Sequence, residues 1–138
     1  MKTLRIHQAL VPLAFALLGW GICGAIIGIG RSLTSMQNTL IIHAVAVPIV
    51  FGGLAWVYFR FFGYTTAMQT ALFFTGLAVL LDATIIALLV EKSYAMFASI
   101  LGTWIPFGLI FLATYRVGLF VATKREKALR MPAPGAGN

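Results

Sequence analysis

Four stretches of the chain, residues 10–29, 39–59, 67–90 and 95–115, are almost wholly apolar. As helices rising about 1.5 Å per residue, each is long enough to cross a hydrocarbon layer ~30 Å thick. None shows the period-two alternation of a membrane-barrel strand. Of the 138 residues, 61% are hydrophobic and 9% are charged, too few for the polar exterior that a water-soluble domain needs. The sequence therefore predicts an all-α, polytopic membrane protein. Its four-helix transmembrane bundle, left-handed or mixed in its crossings, occupies residues 1–123, and a basic tail follows over 124–138.

Charge sets the expected orientation. The net charge is +7, from ten Lys/Arg against three acids. In a soluble chain that balance points to nucleic acid, but here the cations lie almost entirely outside the apolar runs. Topology and anionic lipid explain them better, and no nucleic-acid partner is expected. Lys2, Arg5, Arg60, Lys124, Arg125, Lys127 and Arg130 fall on one side, with Arg116 at its edge; Arg31 and Lys92 fall on the other. The positive-inside rule places both termini in the cytoplasm, with anionic lipid as the partner of that face. Lys2 and Arg5 before the first run resemble a signal-peptide start, yet the apolar core is too long and no A-x-A site follows. Ile22 before Cys23 also spoils a lipoprotein reading. TKREKALR reads as a basic helical extension at the headgroups, and MPAPGAGN as a flexible end.

The breaks carry helix-start chemistry. Thr34 and Gln37 in GRSLTSMQN have capping-box spacing, and Thr66 and Gln69 in TTAMQ repeat it. Because the shared T-x-M-Q is short and opens helices running in opposite directions, it reads as capping rather than duplication. Glu91-Lys92-Ser93 reads as a tight turn with Ser93 capping the last helix. In the first run, GWGICGAIIGIG places Gly21, Gly24 and Gly28 on one helix face, with Gly24 and Gly28 a small-xxx-small pair. Such a face lets another helix approach closely, within one bundle or between protomers, and Gly52-Gly53 is a possible partner.

Asp82 sits inside AVLLDATIIALLVEK, about nine residues or ~13 Å from Glu91 at the expected outer end. A charge at that depth costs at least about 2–3 kcal/mol, so the chain must neutralise it or use it. Pro48 and Pro106 each remove a backbone N–H, freeing the carbonyls of Ala44 and Gly102. With Thr103, Trp104 and His43 at similar depth, these groups are expected to form a polar knot with Asp82. Two readings follow. Asp82 takes up and releases a proton with His43 as relay, or it is a permanent structural donor to a carbonyl freed by proline.

Other chemistry finds little support. Cys23 is the only cysteine, which excludes an intrachain disulfide, a CxxC pair and a thiolate cluster. His7 and His43 lie roughly 25–30 Å apart in depth, so one protomer cannot place both on one haem iron. No Ser-His-Asp set, paired carboxylates, phosphate loop or HExxH motif occurs, so neither a catalytic set, a metal site nor a cofactor is expected. Tyr58, Tyr64, Tyr94 and Tyr115 fall near span ends, as an aromatic belt would; Trp104 lies deeper, beside Pro106.

Residues 41–118 resemble a group of small, uncharacterised bacterial inner-membrane proteins with four helices. The resemblance is carried by IIHAVAVPIV, FRFFGYTTAMQTALFF and EKSYAMFASILGTWIPFGLIFLATY. It implies four helices and a bacterial inner membrane, and it brings no activity. Two functions are therefore expected. One is a proton-linked transporter or permeation pathway, built as a homo-oligomer around Asp82, His43, Thr103 and Trp104. The other is a non-catalytic accessory or scaffold subunit of a larger membrane complex.

Overall fold

The computed structural model describes residues 2–135. Helix α1 spans Lys2–Leu33, α2 Met36–Phe61 and α3 Ala67–Leu81. A π-helical segment, Asp82–Val90, continues α3. After the turn come a short 3₁₀ stretch, Ala95–Ala98, and a π-helical stretch, Ile100–Trp104, that leads into α4, Ile105–Arg130. All described regular structure is helical. Four helical spans are long and apolar enough to cross a membrane: Arg5–Leu33, Met36–Phe61, Ala67–Val90 and Ile100–Arg130.

Local chemistry explains most of these boundaries. Thr66 and Gln69 form the expected capping box at the start of α3, with reciprocal bonds of 3.2 and 3.1 Å. At α2 the cap falls one residue later than the spacing predicts. Ser35 Oγ accepts from the Asn38 amide at 3.2 Å, while Thr34 is held by the Asn38 side chain. The fourth span also starts later than expected. Ser99, not Ser93, supplies its cap by accepting from the Gly102 amide at 3.0 Å, and Ser93 instead accepts from Ala95 within the turn. Lys92 sits at φ 50°, a left-handed conformation that stops the preceding helix. The basic stretch TKREKALR is helical through Arg130. The expected flexible end falls from residue 136 onward outside the described residues.

Thr34 and Ser35 alone join α1 to α2, and Phe62–Thr66 joins α2 to α3, so successive helices run antiparallel. They close a ring in which α1 packs on α2 and α3, and α4 packs on the same two from the opposite side. Arg31 meets Glu91 at one end of the bundle, and Arg125 reaches the Phe59 carbonyl at the other. The core lies toward that second end. It is built from Val47, Phe51, Ala55, Ala71 and Phe74, all buried, with the Phe51 and Phe74 rings 6.1 Å apart. Tyr58, expected in an interfacial belt, is fully buried there; its hydroxyl meets Thr65, which in turn meets Thr70. Between the charged ends the exterior is apolar, and Ile49, Leu72 and Leu89 are exposed.

Candidate functional site

At the Arg31–Glu91 end α1 and α2 stay close, Gly30 against Thr39, while the continuation of α3 stands apart. There the Asp82–Val90 segment has almost no backbone packing against α1, α2 or α4. In a π-helix each amide reaches five residues back, as Glu91 does to Ile86 at 2.7 Å, so the segment is wider than the α3 turns below it. Between this segment and the other helices lies a cavity of about 540 Å³. The cavity reaches from Arg31 and Glu91 down to Phe51, Phe107 and Ile110.

Asp82 lies on this cavity at the junction of α3 and the π-helical segment. Its hydrogen-bond partner is Trp20 of α1, whose Nε1 donates to Oδ1 at 2.8 Å. Sequence reasoning missed Trp20. It sought partners for Asp82 on the proline-broken helices, whereas the donor comes from the helix beside it. His43 of α2 and Thr103 line the same cavity, as expected. His43 is buried and its Nδ1 has no hydrogen-bond partner, so it stands in the site without being tied to Asp82. Thr103 donates to the Met96 carbonyl at 2.7 Å.

Trp104 does not belong to the site. It is 56% exposed on the outside of the bundle, and its indole N–H donates to the Phe97 carbonyl at 2.8 Å. The two prolines also separate. Pro106 lines the cavity just past the junction of the π-helical stretch and α4, inside the span that Ser99 caps, whereas Pro48 sits within an unbroken α2 away from the cavity wall.

Within the chain, the glycine face of α1 makes no close helix contact. A Cβ added at Gly21, Gly24 or Gly28 would meet nothing within 4 Å, and the same holds for Gly53. Gly24 and Gly28 instead form part of the cavity wall. Close approach occurs elsewhere: a Cβ on Gly19 would meet the Phe51 ring at 2.8 Å, on Gly30 Thr39 at 2.6 Å, and on Gly118 Ala67 at 2.6 Å.

Two polar ties hold the π-helical segment to α1. Trp20–Asp82 lies at its base. The Arg31–Glu91 ion pair, 3.0 Å long and roughly half exposed on both sides, lies at its tip. An exposed pair of this kind contributes about 0–1 kcal/mol, so the base tie is the stronger constraint. Cys23 is buried against the same cavity. Among the described residues, no three His, Cys, Asp or Glu side chains form a metal-holding group. No protein-family model, curated protein or solved structure matches the chain.

Proposed function

We propose that this chain is a bacterial inner-membrane protein with both termini in the cytoplasm, and that it moves a small molecule through a proton-linked step at Asp82. The observation that carries the reading is a cavity in which a carboxyl, an imidazole and a hydroxyl converge among apolar walls. An ionisable side chain inside membrane-spanning helices is costly, and it marks a substrate or proton pathway more often than a packing site. The apolar exterior between charged ends supports insertion, and the cations gathered around Arg60 and Arg125 support the orientation. The resemblance of residues 41–118 supports the bacterial assignment.

Coupling follows from the hydrogen bond that Asp82 makes. An ionised carboxylate accepts from an indole N–H roughly twice as strongly as a neutral acid does. Proton uptake therefore weakens the tie at the base of the π-helical segment, whose backbone stands apart from α1, α2 and α4. In this reading His43, which lines the same cavity, relays the proton. The differential strength of the Trp20 bond is what lets protonation shift the conformational balance. The cavity is complete within one chain, so the proposed homo-oligomer repeats the site rather than building it.

An accessory-subunit role is the second reading. It is favoured by the same two ties if Trp20–Asp82 and Arg31–Glu91 only fasten α3 to α1. Proteoliposomes holding a pH-sensitive dye separate the two. Under an imposed pH gradient, with a small-molecule extract of bacterial cells outside, the wild type is expected to pass protons faster than empty vesicles. Asp82→Asn should fold yet match the empty vesicles. Equal rates in all three would remove the transport reading.

A further inference from the structure

We propose that the cavity takes a small organic cation with an apolar body, its charged head at Asp82 and its body against Trp20, Phe51 and Phe107. This deepens the transport reading and rests on it for where the ligand goes, while binding itself requires only the cavity.

The charge inventory of the walls selects the ligand. Five titratable groups line the cavity: Arg31, His43, Asp82, Glu91 and the thiol of Cys23. Arg31 and Glu91 are engaged with each other at 3.0 Å, which leaves Asp82 without a cationic partner. Trp20 supplies one N–H, whereas an ionised carboxylate has about four lone-pair sites. An anionic ligand would meet Asp82 with like charge and find the one guanidinium occupied. A neutral hydrocarbon would bring no charge to set against an ionised Asp82, whose one hydrogen bond comes from Trp20. A cation compensates the carboxylate and lies beside the indole that is fixed to it, where ring and carboxylate attract it together.

Size and texture agree. A volume of about 540 Å³ falls within the range of sites that enclose drug-sized molecules. Met36 and Met96 contribute adaptable thioether surface to the wall. On the α1 side the space exists because Gly24 and Gly28 carry no side chain. Binding also supplies the link to proton movement, since cation and proton compete for one carboxyl.

The test uses the full chain in detergent or nanodiscs, with Trp56→Phe and Trp104→Phe leaving Trp20 as the fluorescent reporter. Three probes of one shape are titrated: benzyltrimethylammonium, its neutral carbon isostere neopentylbenzene, and benzylsulfonate. Only the cation is expected to give a saturable change. Asp82→Asn, whose amide oxygen can still accept from Trp20, should weaken it at least about tenfold through loss of the charge partner. Gly24→Phe, which places a ring in the cavity from the α1 wall, should weaken it as well. No saturable response to the cation, equal affinity for the sulfonate or the hydrocarbon, or unchanged affinity in Asp82→Asn would overturn the proposal. Cation binding with no proton flux in vesicles removes the transport reading alone. Flux driven by the cell extract without cation binding removes the ligand class alone.

Discussion

Asp82 meets Trp20 across 62 residues of sequence, through a hydrogen bond of 2.8 Å that joins α3 to α1. The depth of Asp82 was legible because residue count along a helix measures depth directly. Asp82, His43 and Thr103 share one cavity, but no hydrogen bond joins them into the expected polar knot. The actual donor to Asp82 was not legible, because a partner also depends on helix rotation. When lipid-facing and core-facing positions are both apolar, no amphipathic stripe records that rotation. The same ambiguity put Trp104 in the site, although it faces outward from its own turn. Trp20→Phe keeps the ring and removes the donor, leaving the carboxyl without its bond. Thermal or denaturant unfolding in detergent should show a loss of about 1–3 kcal/mol. Asp82→Asn should cost much less, since Oδ1 remains an acceptor. Equal stability of Trp20→Phe and wild type would mean that the bond contributes nothing to the bundle.

At the scale of the helices, capping was readable where the bonds are local, as at Thr66 and Gln69, and it slipped by one residue at Ser35 where two hydroxyls compete. The π-helical segment was not readable. DATIIALLV has the composition of an ordinary span, and its widened turns belong to a stretch whose backbone stands apart from the other helices. Glycine spacing does not by itself locate contacts within the chain: Gly24-x-x-x-Gly28 marks a smooth face, and such a face can border a helix or a void. Single alanine substitutions distinguish the two cases. Gly118→Ala places a methyl 2.6 Å from Ala67 and 2.8 Å from the Phe59 ring, and it should cost about 1–3 kcal/mol. Gly24→Ala meets open space and should be neutral or stabilising by up to about 1 kcal/mol, the helix preference of alanine over glycine. Unfolding midpoints that move the opposite way at either position would show that the close contacts lie elsewhere.

For the whole molecule, the number of spans and their alternating direction were legible from hydropathy and short connections, because a backbone in lipid has few options besides helices. Cations cluster at the end holding Arg60 and Arg125, opposite the end holding Arg31 and the cavity. Cysteines placed at Ser32 and Lys92 in a Cys23→Ser background should therefore label only from outside the cell, and one at Lys127 only from inside. Outside labelling at Lys127 would reverse the orientation and point the cavity toward the cytoplasm. The claim on which the function rests is that Asp82 exchanges its proton with the cavity. Infrared difference spectroscopy of the reconstituted chain reads the carbonyl stretch of a protonated carboxyl directly, and Asp82→Asn identifies the band. Proton exchange requires that this band rise and fall as the medium passes between mildly acidic and mildly alkaline, and that benzyltrimethylammonium diminish it at fixed pH. A band assigned to Asp82 that stays constant under both treatments would contradict it, leaving the carboxyl a permanent hydrogen-bonding strut between α1 and α3.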